Sequence, residues 1–310
     1  MKFLIVDDLH PCIFDDLKKA GVEWDYKPDI AAADVKKILP GYEGLIVRSK
    51  VFVDDELLGT SALQVIARAG AGVDNIEENA LLKRGIQLIN APEGNRDAVA
   101  EHTVGLILSL LNNFRKSKQE LLRHQWIREG NRGYELSNLT VGVIGYGYMG
   151  RAVCKRLVAF GCKILAYDKQ IKTDVEEGVE IVSLEELKKK ADILTLHVPL
   201  IKENAHWVDE SFLKGFQKNI WLINTSRGKV VKSIDLPALL DSGKLRGAAL
   251  DVWENERPDT FSMEEKELFD KLLSYSQVIM TPHVAGWTFE SYQKISEVMG
   301  RKILQWVNKS

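Results

Sequence analysis

The run Gly145-Tyr146-Gly147-Tyr148-Met149-Gly150 carries the plainest chemical signal in this chain. It follows the apolar stretch Val141-Gly142-Val143-Ile144 and opens a segment with Met149, Val153, Leu157 and Phe160 at helical spacing. In that setting Gly145 permits a tight turn, Gly147 lets backbone approach a pyrophosphate, and Gly150 lets helix pack on strand. The helix start adds N–H groups and a positive dipole end for the phosphates. Asp168 ends the next strand-like run, 23 residues past Gly145, where a carboxylate accepts from the adenosine ribose hydroxyls. The same carboxylate repels a 2′-phosphate, so the expected cofactor is NAD rather than NADP. His197, at a further strand end, is placed to line the adenine side.

Three more side chains complete a reaction set. Arg227 lies in Asn224-Thr225-Ser226-Arg227-Gly228, Glu256 follows Leu250-Asp251-Val252-Trp253, and His283 lies in Thr281-Pro282-His283-Val284-Ala285-Gly286. Each is expected just past the carboxyl end of a strand, the edge at which parallel sheets hold ligands. Together they make an anion clamp, a proton carrier and a carboxylate that favours the imidazolium. Hydride removal from a hydroxyl-bearing carbon needs such a set, because a proton must leave the oxygen as hydride leaves the carbon. A second glycine turn, Ala69-Gly70-Ala71-Gly72-Val73-Asp74, is either a cradle for a small anion or a packing turn that needs small residues. The residues alone leave both open. His10, His124 and His206 lack partners at ligand spacing, His102 is expected in a helix start, and no metal site is expected.

These groups need a frame to bring them together. Strand-like runs at 2–7, 44–48, 65–69 and 86–89 alternate with helical patterns at 11–20, 30–39 and 75–84. The pattern returns with strands at 140–145, 163–168, 192–198, 220–224, 247–251 and 278–281. Runs such as Ile193-Leu194-Thr195-Leu196 show little alternation, as befits strands covered on both faces. The expected fold class is therefore α/β: two doubly wound parallel-sheet domains, Rossmann or flavodoxin-like, with a cleft between them. Pro92 and Gly94 read as a loop over 90–95, followed by one long helix over 97–122. A closing helix over 288–308 returns to the first domain. The expected division is 1–96 plus 287–310 for substrate binding, and 97–286 for the dinucleotide.

Composition excludes several classes. The 310 residues hold 42 Lys+Arg against 44 Asp+Glu, a net charge of −2 that gives no reason to bind nucleic acid or an anionic membrane. The greasiest stretch, 104–111, is interrupted by Gly105 and Ser109 and is too short to span a bilayer. Phe3-Leu4-Ile5-Val6 runs straight into Asp7-Asp8, so no signal-peptide core is expected. Cys12, Cys154 and Cys162 show neither metal spacing nor a paired framework, which fits thiols in a reducing cytoplasm.

With these residues assembled, the chain resembles the D-isomer-specific 2-hydroxyacid dehydrogenase family along nearly its whole length. The matching blocks are 68–75 (RAGAGVDN), 90–103 (NAPEGNRDAVAEHT), 143–150, 224–228 (NTSRG), 248–256 (AALDVWENE) and 281–288 (TPHVAGWT). The resemblance implies that Arg227 binds the substrate carboxylate and carbonyl oxygen, that His283 is the acid/base, and that Glu256 pairs with it. It implies cofactor contacts at Tyr148, Met149, Asp168, Thr225, Ser226, Asp251 and Gly286, and a substrate carboxylate held on the backbone of Ala71, Gly72 and Val73. It also implies a homodimer. Within the family, Val47-Arg48-Ser49-Lys50 and the first two blocks most resemble D-3-phosphoglycerate dehydrogenases, which implies oxidation of 3-phosphoglycerate in serine biosynthesis, with Arg48 and Lys50 reading the phosphate. Reduction of glyoxylate or hydroxypyruvate is the alternative of the same class, and an NAD(H)-sensing corepressor the alternative of another. Ile201 and Asn204 stand where Thr is common, and Trp287 stands where a small residue is frequent. The chain ends 27 residues after His283, so the regulatory C-terminal domain of longer relatives is not expected.

Overall fold

The computed structural model describes residues 1–170 and 175–309. The chain divides into two compact units, Met1–Arg96 with Trp287–Ser310, and Asp97–Gly286. Each is built on a sheet whose strands all run parallel.

In the first unit the strands are β1 (Lys2–Ile5), β2 (Glu23–Tyr26), β3 (Gly44–Val47), β4 (Val65–Arg68) and β5 (Gln87–Asn90), in the order β2-β1-β3-β4-β5. Successive residues of β1 serve opposite faces. Phe3 and Ile5 meet Ile13, Leu17, Ile295 and Met299, while Leu4 packs with Val35, Leu45, Ile66 and Leu81. Burial on both faces explains why the central strands read as unbroken apolar runs. The edge strand β2, Glu23-Trp24-Asp25-Tyr26, has no such signal and is absent from the sequence reading, because its side chains are half-buried or exposed. Helix Glu78–Arg84 starts three residues later than the 75–84 pattern suggests.

The second unit holds β6 (Thr140–Ile144), β7 (Lys163–Tyr167), β8 (Val179–Ile181), β9 (Ile193–Leu196), β10 (Ile220–Asn224), β11 (Leu245–Leu250) and β12 (Val278–Met280). Their order is β12-β11-β10-β9-β6-β7-β8, the doubly wound pattern that reverses direction at β6 and β9. Leu194, Leu196 and Leu222 pack on one face with Leu187, Leu213 and Leu239. Val141, Val143, Ile193 and Ile223 pack on the other with Ile107, Val153 and Leu157. The short edge strand β8 also escapes sequence reading.

Two expectations are corrected. The 90–95 segment is not a loop throughout, because Pro92 opens helix Pro92–Leu111 as its first residue, a position that tolerates proline. Gly94 is in that helix for packing: a Cβ there would lie 2.6 Å from the Ile295 Cα. Nor is 97–122 one helix. It breaks after Leu111, where Asn113 takes a left-handed φ of 54°, and resumes as Phe114–Leu122. Asparagine tolerates that conformation better than most side chains, and the neighbouring Asn112 amide donates to the Leu108 carbonyl at 2.9 Å.

Candidate active site

Strand register sets the site in the second unit. Tyr167, Ile144, Leu196, Asn224, Leu250 and Met280 form one row across the sheet. The residues that follow this row are Asp168, Gly145, His197, Thr225, Asp251 and Thr281, so the candidate groups leave from one edge.

The glycine turn is shaped for a phosphate-bearing ligand. Gly145 has φ +92°, and a Cβ there would sit 2.3 Å from the His197 carbonyl oxygen. A Cβ on Gly150 would sit 1.9 Å from the Gly145 carbonyl oxygen. A Cβ on Gly147, by contrast, would meet nothing within 4 Å, which leaves open space over the turn. Helix Tyr148–Val158 begins there with no side-chain cap, and among the described residues the Gly147, Tyr148 and Met149 N–H groups donate to no protein acceptor. Asp168 accepts from the Tyr146 N–H at 2.8 Å and from the Gln170 N–H at 2.8 Å, which fixes its carboxylate beside the turn. His197 is different in kind. Burial pushes its pKa down to about 3, so the ring is neutral, with Nε2 2.9 Å from the Thr195 hydroxyl and a buried Nδ1 that has no partner among the described residues. Open space, unspent N–H groups and a fixed carboxylate fit a dinucleotide.

Arg227, Glu256 and His283 come together further along the row. A Cβ on Gly228 would lie 1.9 Å from the Trp253 carbonyl oxygen, so only glycine lets the Arg227 loop approach the Glu256 loop this closely. Glu256 Oε2 lies 2.8 Å from His283 Nδ1. Burial acts to raise the Glu256 carboxyl, but the His283 hydrogen bond and charge, the Trp253 N–H and the Arg227 guanidinium outweigh it and hold that carboxyl below its usual range. Nδ1 is thus committed, and among the described residues Nε2 has no protein partner. The Arg227 guanidinium also donates to the Ser226 carbonyl at 2.7 Å.

Several groups position this set, Asn224 and His102 among them unassigned by the sequence, and Asp251 expected there as a cofactor contact. The buried Asn224 side chain accepts from both the N–H and hydroxyl of Ser226 and donates to the Arg227 carbonyl at 3.0 Å, stapling the turn. Asp251 is wholly buried, and its carboxylate accepts from the Thr281 hydroxyl at 2.5 Å and from the N–H groups of Val284 and Ala285. Its carbonyl accepts from the His283 N–H at 2.7 Å. These bonds hold His283 at φ 53°, a conformation costly for most non-glycine residues. His102 belongs to this network through Nε2, 3.2 Å from the Thr281 hydroxyl, and lies inside helix Pro92–Leu111 rather than at its start. Thr225 Oγ1 is 3.0 Å from Thr103 Oγ1. Gly286 closes the unit at its chain end. Among the described residues no group of three or more His, Cys, Asp or Glu is placed to hold a metal.

In the first unit, Arg48 and Ala69 leave the neighbouring strands β3 and β4 just past the registered pair Val47 and Arg68. The Asn90 amide donates to the Ala71 carbonyl at 2.8 Å, and Gly70 has φ +138°. Among the described residues the N–H groups of Ala71, Gly72 and Val73 donate to no protein acceptor, which leaves a row of donors. The Arg48 guanidinium lies over the Trp287 ring, 3.8 Å from its centroid. The Lys50 ammonium donates instead to the Pro28 carbonyl.

A doubly wound sheet with a dinucleotide turn, a His–Glu pair and an arginine along one edge defines a nicotinamide-dependent oxidoreductase fold and site. The family model for the D-isomer specific 2-hydroxyacid dehydrogenase NAD binding domain matches residues 104–285. The D-3-phosphoglycerate dehydrogenase of Archaeoglobus fulgidus is 32% identical over 98% of this chain, and that of Methanocaldococcus jannaschii 35% over 98%. The chain spans 57% of the length of each. The hydroxypyruvate reductase of Thermotoga maritima is 34% identical over 88% of this chain and 87% of its own. Among solved structures, a D-lactate dehydrogenase from Aquifex aeolicus, complexed with NAD and lactic acid, superposes with a TM-score of 0.86 at 28% identity, covering 100% of this chain and 96% of that one. The chain belongs to the D-isomer specific 2-hydroxyacid dehydrogenase family.

Replacing Glu256 with Gln keeps its size and removes its charge. The hydrogen bond to His283 Nδ1 then loses its charge assistance, and the ring is held less firmly. kcat for keto-acid reduction is expected to fall roughly ten-fold, with NADH binding as in the unmodified protein. An unchanged kcat removes Glu256 from the reaction.

Proposed function

We propose that the chain interconverts D-2-hydroxyacids and 2-keto acids with NAD, and that its substrate pair is 3-phosphoglycerate and 3-phosphohydroxypyruvate. The carrying observation is His283, whose Nδ1 is committed to Glu256 while Nε2 is left for a substrate hydroxyl. The Gly147, Tyr148 and Met149 amides would hold the pyrophosphate and Asp168 the adenosine ribose, with His197, Thr225, Ser226 and Gly286 as further contacts and the wholly buried Asp251 acting behind them on the turn at 281–285. NAD, when bound, accepts the C2 hydride. In that direction His283 Nε2 takes the hydroxyl proton, and the ionised Glu256 stabilises the imidazolium that results. Arg227 binds the carboxylate and the C2 oxygen, where its fork suits two oxygens at once. The Ala71, Gly72 and Val73 amides supply further donors to the carboxylate.

The two archaeal relatives support the phosphorylated substrate. The Thermotoga relative, matched over most of its own length, supports hydroxypyruvate or glyoxylate as the rival. Of the two cations expected to read phosphate, Arg48 keeps its guanidinium edge available, whereas Lys50 is tied to Pro28. The test is NADH consumption with 3-phosphohydroxypyruvate, hydroxypyruvate, glyoxylate and pyruvate. The highest kcat/KM is expected for 3-phosphohydroxypyruvate. A smaller keto acid at the top overturns the substrate, and turnover of none leaves a dinucleotide-binding sensor.

We also infer a homodimer acting in the cytoplasm. Helix Phe114–Leu122 buries none of its residues and, with the segment after it, exposes Phe114, Leu121, Leu122 and Trp126, the last 83% exposed. A second copy would cover this apolar surface, and the buried thiols of Cys154 and Cys162 suit a reducing compartment. Sedimentation should give about twice the 35.0 kDa chain mass; the monomer mass overturns the dimer.

A further inference from the structure

Trp287 is a bulky ring whose neighbours show a specific use for its size. Its ring lies under the Arg48 guanidinium, 3.8 Å from centroid to Cζ. Tyr292 meets Trp287 edge-on at 5.7 Å, and His10 meets Tyr292 in the same way. The row is anchored by Asp8, which accepts from the Tyr292 hydroxyl at 2.6 Å and the Tyr26 hydroxyl at 2.8 Å. Asp7 fixes the other side of the arrangement, its Oδ2 accepting from the Arg48 N–H at 2.6 Å and reaching those of Ser49 and Lys50 at 3.3 Å. Backbone and ring thus hold Arg48 from two directions.

The guanidinium so held is half-buried and among the described residues donates no side-chain hydrogen bond, while the Asp7 and Asp8 carboxylates act on its charge from beyond ion-pair distance. An arginine stacked on an aromatic face keeps the N–H groups of its edge for a bidentate anion. Ala69 lines the same small cavity as Arg48 and Trp287, and Gly70 and Ala71 follow it into the row of unspent amides. Two sets of donors for anionic groups therefore adjoin within one unit. This arrangement suits a short substrate with a carboxylate at one end and a second anionic group at the other.

We propose that Trp287 is a specificity-determining residue that acts through Arg48: it is the platform that orients the guanidinium toward a second anionic group, a phosphate monoester, on the substrate. The inference rests on reading Arg48 as a substrate contact. A smaller side chain at 287 frees the guanidinium to many rotamers, whereas another aromatic ring keeps the platform.

The experiment measures KM for 3-phosphohydroxypyruvate and for hydroxypyruvate in the unmodified protein, in Trp287→Leu, Trp287→Phe and Arg48→Ala, and in Arg48→Ala combined with Trp287→Leu. Thermal melts check folding, and calorimetric titrations with 3-phosphoglycerate and D-glycerate read binding without turnover. Trp287→Leu should raise the ratio of the two KM values about ten-fold. Trp287→Phe should restore most of it, and the leucine should add nothing further once Arg48 is gone. Equal changes for both substrates, or a leucine effect that persists without Arg48, overturns the platform while leaving the enzyme reading intact. If no keto acid turns over, the enzyme reading fails on its own. The platform then stands if Trp287→Leu weakens 3-phosphoglycerate binding selectively and through Arg48, and falls if it does not.

Discussion

His283→Ala is expected to lower kcat for keto-acid reduction by about a hundred-fold or more, the usual contribution of a positioned acid/base. Geometry makes the loss specific to the imidazole. Nδ1 lies 2.8 Å from Glu256 Oε2, and Nε2 has no partner among the described residues, so one ring nitrogen is held and the other left to work. The backbone at 283 is held by Asp251, whose carbonyl and carboxylate take N–H groups from residues 283 to 285. That scaffold survives loss of the side chain, although alanine at φ 53° carries a conformational cost of its own. His283→Asn separates the two effects, because asparagine accepts left-handed backbone more readily and still offers no general base. Both variants should bind NADH as the unmodified protein does, with the loss confined to the chemical step. A kcat within a few-fold of the original in either variant would place the proton transfer elsewhere.

How much of this was legible in the sequence depended on how locally each feature is determined. The buried strands announced themselves because both faces need apolar side chains, as Leu4 and Ile5 show by entering different clusters. The edge strand Glu23–Tyr26 did not, since one bare side lets charge into the pattern. Pro92 and Gly94 misled for a related reason. Each has a loop meaning and a helix meaning: Pro92 stands at a helix start, and Gly94 meets the Ile295 backbone, some 200 residues away.

The site divides along the same line. The glycines at 145, 147 and 150 and the acid at 168 follow from one strand-turn-helix-strand segment, so spacing alone identifies them. The network of His102, Thr281 and Asp251 joins positions from a helix and two strands, and nothing near His102 in sequence points to it. Asn224 was visible within its block, but its role became apparent only once both ends of its amide were seen to bind the Arg227 turn. Arg48 looked like a strand-end cation in the sequence. Only packing against Trp287 distinguishes it from Lys50, two residues on and tied to Pro28.

Asp168 gives the other large effect, and it concerns the choice of cofactor. The unmodified protein is expected to prefer NAD over NADP by on the order of a hundred-fold in kcat/KM, since a 2′-phosphate would face a carboxylate in a site of lowered dielectric. That carboxylate cannot simply swing aside, because the Tyr146 and Gln170 N–H groups each hold one of its oxygens at 2.8 Å. Lys169, the adjacent cation, is the competing reader of a phosphate; its ammonium lies over the Trp207 ring, 5.6 Å from the centroid. Asp168→Ala should therefore narrow the preference mainly by weakening NAD, roughly ten- to a hundred-fold for the loss of a charge-assisted contact. Lys169→Ala should leave the preference of the unmodified protein nearly as it was. The measurement is kcat/KM for both cofactors in all three proteins, with one saturating keto acid. Comparable efficiency with NAD and NADP in the unmodified protein would show that Asp168 does not read the ribose, and a preference that collapses in Lys169→Ala would give the reading to its neighbour.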